Sequence, residues 1–321
     1  MAGQLWSVNS LGGYFYSLNL SDELRQALQP EARFRQFCDM GDAVGKGKGQ
    51  TWTWDIVQDV ATAGGTLTET NTMPETNFTI IQGTLTVTEY GNSVPYSGKL
   101  EALSQFAVRK PVMQALRNDG KKVFDKAAYA QFYLTPLRVV PVAGTGTDTV
   151  TLTTNGTATT TNTIAYGAGH AKAIVDLMKE RNIPPYVGDD YMAISWPTTI
   201  RTLKNTLETL HQYTESGIKL IFNGEIGRYE NVRYTEQTNI SKGITSSGSS
   251  GTAWSQSKSD WIFFMGEDTV MEGVVTPEEI RAKIPTDYGR SKGVAYYYIG
   301  GFGLVHTNAT QARVVMWDSA V

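Results

Sequence analysis

Cysteine is almost missing from this chain. Cys38 is the only one in 321 residues, which excludes an intrachain disulfide and any cysteine-built zinc cluster and fits a reducing compartment. Histidine is nearly as scarce: His170, His211 and His306 stand far apart, without HExxH or a similar ligand spacing. There is no GxSxG and no Walker loop. Gly45-Lys46-Gly47-Lys48-Gly49 has the wrong spacing for a phosphate loop and no apolar strand before it, so it reads as a flexible entry into a strand. No apolar run approaches the ~20 residues of a membrane-crossing helix; Trp261–Met265 (WIFFM) is about the limit. The N-terminus lacks a basic segment ahead of an apolar core, so no secretory signal is read there. Charge is sparse too, at 18% with a net of −3, against a surface that binds nucleic acid throughout.

These absences leave no catalytic constellation and no cofactor or metal site. Glu267-Asp268 and Glu278-Glu279 read as solvated acidic faces, and Asp189-Asp190 as the same or as part of a surface cation site. Gly300-Gly301-Phe302-Gly303 reads as strand-bend glycine, and Cys38, with no activator near it in sequence, as a small apolar contact.

What is present is organised around Ser97–Leu134. A short helical segment precedes Pro111, which is tolerated at a first helical position because its missing N–H would be unpaired there. Val112, Leu116, Asp119/Gly120, Val123, Ala127, Ala130 and Leu134 then recur at about 3.6 residues, one face of a long helix. Asn118-Asp119-Gly120 is its weak point, because these residues favour turns. The segment carries seven basic residues (Lys99, Arg109, Lys110, Arg117, Lys121, Lys122, Lys126) and three acidic ones (Glu101, Asp119, Asp125), an excess of four positive charges in an acidic chain. It could offset phosphates without reading sequence, or be a solvated face paired with neighbouring carboxylates.

Upstream, Ser21 caps a short helix that Pro30 stops, and a second short helix carries Phe34 and Phe37. Gln50–Gln58 and Thr84–Tyr96 alternate as strands around a Gly/Thr/Asn/Pro segment, giving a long protruding hairpin that is only marginally stable alone. The first ~95 residues show no core of their own and are expected to pack on neighbouring subunits, or else to fold back on their own chain. Downstream, Pro136–Pro141 is strand-like, Ala143–Thr163 is a Thr/Gly-rich excursion, and His170–Asn182 is a helix with Ile174, Val175 and Met178 inward. Tyr191–Trp196 is a buried strand, and Pro197 opens a helix striped by Ile200, Leu203, Leu207 and Leu210. A strand spans Val232 to Gln237, Ser241–Ser259 is a Ser/Gly-rich loop, and Asp260–Met265 is a strand. Thr276-Pro277-Glu278-Glu279 reads as a helix start. Gly293–Val305 and Ala312–Trp317 read as a closing antiparallel pair whose tyrosines pack on the long helix.

Arm, hairpin, spine helix, α/β body and return strands, in that order, resemble the HK97-like fold of tailed-phage major capsid proteins. Arg181–Tyr186 (RNIPPY), Tyr191–Pro197 (YMAISWP), Phe222–Arg228 (FNGEIGR) and Val232–Glu236 (VRYTE), with the VTEYG end of the hairpin, resemble the capsid proteins of the phage N4 group. The resemblance implies an α+β chain with an N-terminal arm (1–45), an extended loop or E-loop (46–96), a peripheral or P-domain with the spine helix (97–165 and 260–321) and an axial or A-domain (166–259). It implies hexamers and pentamers tiling an icosahedral shell around double-stranded DNA in a virion assembled in the host cytoplasm. Separate scaffolding, portal and decoration proteins are possible partners; no membrane, cofactor or enzymatic activity is implied. The expected intersubunit contacts are Trp52, Trp54, Ile56, Tyr90, Phe34, Phe37, Asn223, Glu225 and Arg228, with Arg117, Lys121, Lys122 and Lys126 as the residues facing DNA. An encapsulin-like cellular compartment would share the fold, and a β-rich tail or adhesin protein is the reading from a different class.

Overall fold

In the computed structural model the described residues are 31–42, 49–60, 64–70, 72–104, 107–142, 149–157, 164–205, 228–239, 260–285 and 287–319. The helix expected after Ser21, the Leu207–Leu210 turn, the 241–259 stretch, most of 143–163, and Asn223 and Glu225 lie outside them.

The Ser97 hydroxyl accepts the Leu100 N–H at 3.2 Å and caps α1 (Gly98–Leu103). Helix α2 (Arg109–Tyr133) then runs unbroken through Asn118-Asp119-Gly120. Tertiary contacts hold the weak point: the Asp119 carboxylate accepts hydrogen bonds from Asn92 Nδ2 (2.8 Å) and the Tyr296 hydroxyl (3.1 Å). The Tyr296 ring packs over Gly120, 3.7 Å from where a Cβ would stand, an ordinary contact distance. The buried stripe is Val112, Leu116, Gly120, Phe124, Ala128 and Phe132, which departs from the expected face after Gly120. Val123 and Ala127 are half-buried, Ala130 is exposed and Leu134 is 62% exposed. Phe124 and Phe132 bury far more apolar surface than the alanines of the expected face, and burial of that surface sets the helix's rotation.

A four-stranded sheet covers α2 in the order β1 (Asp39–Asp42), β11 (Val270–Ala282), β12 (Ser291–Leu304), β4 (Thr88–Ser97). A seven-stranded sheet runs β6 (Val150–Thr153), β5 (Leu137–Pro141), β13 (Val314–Ser319), β10 (Asp260–Met265), β7 (Tyr191–Ser195), β9 (Val232–Glu236), β8 (Arg228–Tyr229). The third sheet is the two-stranded hairpin β2 (Thr51–Val57) and β3 (Ile80–Thr86). Helix α3 (Ala168–Glu180) buries His170, Ala171, Ile174, Val175 and Met178 against the seven-stranded sheet.

Strand β10 shows how the two cores are divided. Trp261, Phe263 and Met265 join the core under α2, while Ile262 and Phe264 join the core under α3. Successive side chains of a strand point to opposite faces, so a run of five apolar residues is what a strand covered on both sides requires. The seven-stranded sheet takes strands from 97–165 and 260–321 as well as from 166–259, so the division expected at 165/166 and 259/260 falls within a single sheet.

Three expected elements differ. The strand read at 84–96 is two strands: β3 belongs to the hairpin, whereas β4 pairs with β12 along its whole length, Ser97 opposite Ser291 to Thr88 opposite Gly300. Thr276-Pro277-Glu278-Glu279 lies inside β11. Pro277 is tolerated there because pairing with β1 ends at Val274 and the ladder with β12 is irregular between Val274 and Glu279, so no N–H is missed. Strands β12 and β13 do not pair with each other but enter different sheets; β13 pairs with β10 and, in parallel, with β5. The tyrosines do pack on the spine, with the Tyr298 and Tyr296 rings 4.7 and 6.1 Å from Phe124.

Candidate assembly interface

The segment ahead of β1 is fastened to its own chain. Phe34, 1% exposed, sits in a 3-10 turn (Phe34–Phe37) with its ring 5.3–5.5 Å from Tyr129, Phe132 and Phe263. Phe37 packs on Tyr186 at 5.7 Å. Both therefore leave the set of expected intersubunit contacts: the aromatic core beneath α2 covers them and no surface remains for a neighbour. Cys38 is half-buried beside them, and burial followed by the nearby Glu272 carboxylate raises its thiol well above the ordinary range, so it stays protonated.

Arg35 lies between these phenylalanines and makes the strongest polar contact of this region. Its Nε and Nη2 donate to the Glu272 carboxylate at 3.1 and 2.7 Å, and its Nη1 pairs with Glu278. The Tyr298 hydroxyl adds a 2.8 Å hydrogen bond to Glu272, and the guanidinium stacks over Phe124 at 4.8 Å. Glu272 is 1% exposed, so the arginine and the tyrosine are what allow a carboxylate to stay there. The paired acids that read as solvated are engaged as well. Glu279 pairs with Arg281, Asp268 with His306, and Asp190, 3% exposed, has the Nε atoms of Arg228 and Arg233 each at 2.7 Å.

The hairpin divides into a seated base and a bare outer half. Trp52, Trp54 and Ile56 alternate with exposed Thr51, Thr53, Asp55 and Val57, and Leu85, opposite Trp52, is 2% exposed. The base lies on strands β11 and β12 of its own chain. A Cβ added at Gly273 would stand 3.0 Å from Trp52, one at Gly303 3.1 Å from Trp54 and Leu85, and one at Gly301 2.3 Å from the Thr86 carbonyl. Glycine is required along this seat because the hairpin backbone and rings occupy the space of side chains. Trp52 and Trp54, both half-buried, thus anchor the hairpin to its own body while part of each side chain stays open. Tyr90, also half-buried, stands on β4 and packs on Phe124 and Tyr298 at 5.9 and 6.0 Å.

Beyond the seat, Val57, Leu67, Met73, Phe78 and Ile80 are 51–66% exposed. Residues 50–88 hold four acids, Asp55, Asp59, Glu69 and Glu75, and no lysine, arginine or histidine. A second bare apolar set, Ile280, Ile284 and Tyr288, lies toward the turn that joins β11 to β12, where Asp287 and Tyr288 have positive φ. Val57, Leu67, Met73 and Phe78 follow no regular period, so reading by period passes over them; apolar residues scattered through a Thr-rich stretch are the available signal. Arg228 is exposed and bound to Asp190. On α2, Arg117, Lys121 and Lys126 are exposed and Lys122 is half-buried. Arg117 and Lys121 line a groove of ≈ 990 Å³ between the 31–40 segment, α2 and β11, together with Arg33, Met40 and Ile280.

No family model matches the sequence, and no curated protein does. Solved structures do match, over almost the whole chain. The head structure of Helicobacter pylori bacteriophage KHP40 superposes with a TM-score of 0.69 at 14% identity, covering 94% of this chain and 95% of that one. The chain has the capsid fold of phage heads. The capsid of Ralstonia phage GP4 matches with a TM-score of 0.64 at 16% identity over 98% of each chain. The cyanophage Pam1 capsid asymmetric unit matches at 0.65 and 16%, covering 97% and 98%. This shared HK97-like fold includes the protruding hairpin, the spine helix and both larger sheets of the present chain.

Proposed function

We propose that the chain is the major capsid protein of a tailed phage. It assembles with copies of itself as hexamers and pentamers into an icosahedral shell around double-stranded DNA, within the host cytoplasm, and stays in the virion. Its work is the burial of surface between copies and not catalysis; scaffolding, portal and decoration proteins are further partners. The resemblance of 180–240 to the phage N4 group supports a place near that group. One observation carries the reading. The outer hairpin presents Val57, Leu67, Met73, Phe78 and Ile80 to solvent in a fold shared with the capsid of Ralstonia phage GP4 and the head of Helicobacter pylori bacteriophage KHP40. A two-stranded ribbon with bare apolar side chains is poorly stable in water, and such a surface marks an interface. Negative-stain microscopy of the purified chain is expected to show closed angular shells. Fibres would favour the tail or adhesin reading, and small particles at all concentrations would overturn assembly.

The counterpart of the hairpin is the basic surface of α2 on a neighbouring copy. The outer hairpin has only acids, and Arg117, Lys121, Lys122 and Lys126 are the matching cations, so the pairing steers encounter and fixes register. Lys121→Glu with Lys122→Glu is expected to prevent shell closure, and adding Glu69→Lys with Glu75→Lys to restore it. Shells that close but no longer retain DNA would instead assign these lysines to the inner wall. Shells that close and package normally would remove both roles.

A further inference from the structure

Where the hairpin leaves its seat, at Ile56–Asp59, lies a cavity of ≈ 770 Å³. Its walls come from three places: Ile56–Asp59 of the hairpin, Arg181–Pro184 after α3, and His306, Thr310, Gln311 and Arg313 between β12 and β13. Three of these residues are cationic or can become so. Arg181 donates from Nη2 to the Ala309 carbonyl, and among the described residues no carboxylate pairs with it; its Nε is buried without a partner. His306 is 6% exposed, with Nε2 3.2 Å from Asp268 Oδ2 and a buried Nδ1 that has no partner. Arg313 donates to the Glu267 carbonyl at 3.2 Å and stands 3.6 Å from the same Asp268 oxygen.

We infer that this cavity binds an oxyanion group, a carboxylate or a tetrahedral phosphate or sulfate, held by Arg181, His306 and Arg313. Buried polar nitrogens are costly to leave unpaired, and two of them, on Arg181 and His306, belong to side chains that line this one cavity. Arginine's fork suits the planar or tetrahedral oxygens of such a group. Asp268 fixes the orientation of the imidazole and holds its proton on Nε2; when the ring takes up a second proton, Nδ1 becomes a donor toward the cavity. The charged groups of the lining besides His306 are Arg181 after α3, Arg313 before β13 and Asp59 on the hairpin, and Asp268 after β10 adjoins His306 and Arg313. The Asp59 carboxylate already accepts the Val60 N–H at 2.8 Å, and the lining holds no other acid. The site stands whether or not the chain builds shells.

The test is thermal unfolding of the full chain in sodium sulfate against sodium chloride of equal ionic strength. A sulfate-specific rise in the unfolding midpoint is expected. Arg181→Gln should remove it, and His306→Gln should reduce it. If Arg181→Gln fails to fold, Arg181→Lys carries the test, with sulfate expected to bind several-fold more weakly. Formate in place of sulfate separates the sources: an equal response assigns the site to a carboxylate, and a response to sulfate alone to a tetrahedral oxyanion. Responses to sulfate and chloride that match, or wild-type responses in the Arg181 variants, would overturn the site.

Discussion

Replacing Arg35 with methionine should cost about 3–5 kcal/mol of stability, because it leaves Glu272 buried and charged without its cation. The guanidinium supplies two of the hydrogen bonds to that carboxylate, and Tyr298 alone would remain. Methionine keeps much of the contact with Phe124 and so isolates the loss of charge. Two consequences are measurable. The denaturation midpoint should fall, and protease should cut between residues 31 and 38, which this pair fastens to β11 ahead of the β1 ladder. Adding Glu272→Gln to the same chain should recover most of the loss, since an amide needs no counter-charge and can still accept from Tyr298. A single variant as stable as the wild type, or a double variant no better than the single one, would show that Arg35 and Glu272 do not hold the arm.

Gly301→Val should leave a folded chain that no longer closes shells. A Cβ at this position meets the Thr86 carbonyl at 2.3 Å and Leu85 at 3.0 Å, so the hairpin must lift off β12. Overpacking of this kind costs ~1–3 kcal/mol, which the two larger cores can absorb. The direction of the hairpin cannot absorb it, because a shell multiplies one misplaced contact over every subunit. Circular dichroism should stay near that of the wild type, while tryptophan fluorescence shifts to the red as Trp52 and Trp54 lose their cover. Leu85→Ala removes the occupant of the seat instead of blocking the seat, and should weaken assembly in the same direction. Closed shells with unshifted fluorescence in Gly301→Val would exclude the glycine seat as the element that aims the hairpin.

The spine helix, α3, β7, β9 and β10 were legible because each carries its own period or its own unbroken apolar run. The rotation of the spine was not. Phe124 and Val123 are equivalent to a helix wheel until Tyr296 and Tyr298 stand opposite one of them. The intrachain partners of the aromatic residues were hidden for a related reason. Aromatic residues were assigned to neighbours because no local core was visible, yet Phe34 finds Tyr129, Phe132 and Phe263, and Trp54 finds Gly303, at separations of about a hundred residues or more. Apolar residues without a period, Leu67, Met73 and Phe78, were passed over and are the ones left bare.

By itself the sequence determined most of the segments that are helix or strand, that the first third lacks an interior in its immediate surroundings, and that an intrachain disulfide is excluded. Side-chain periodicity and composition are local properties, and they report these local facts. Only the tertiary structure decided which strand pairs with which, that Arg35 meets a carboxylate 237 residues away, and that three glycines on β11 and β12 form the seat of the hairpin. Those outcomes depend on which surfaces meet, and no stretch of chain carries that information alone.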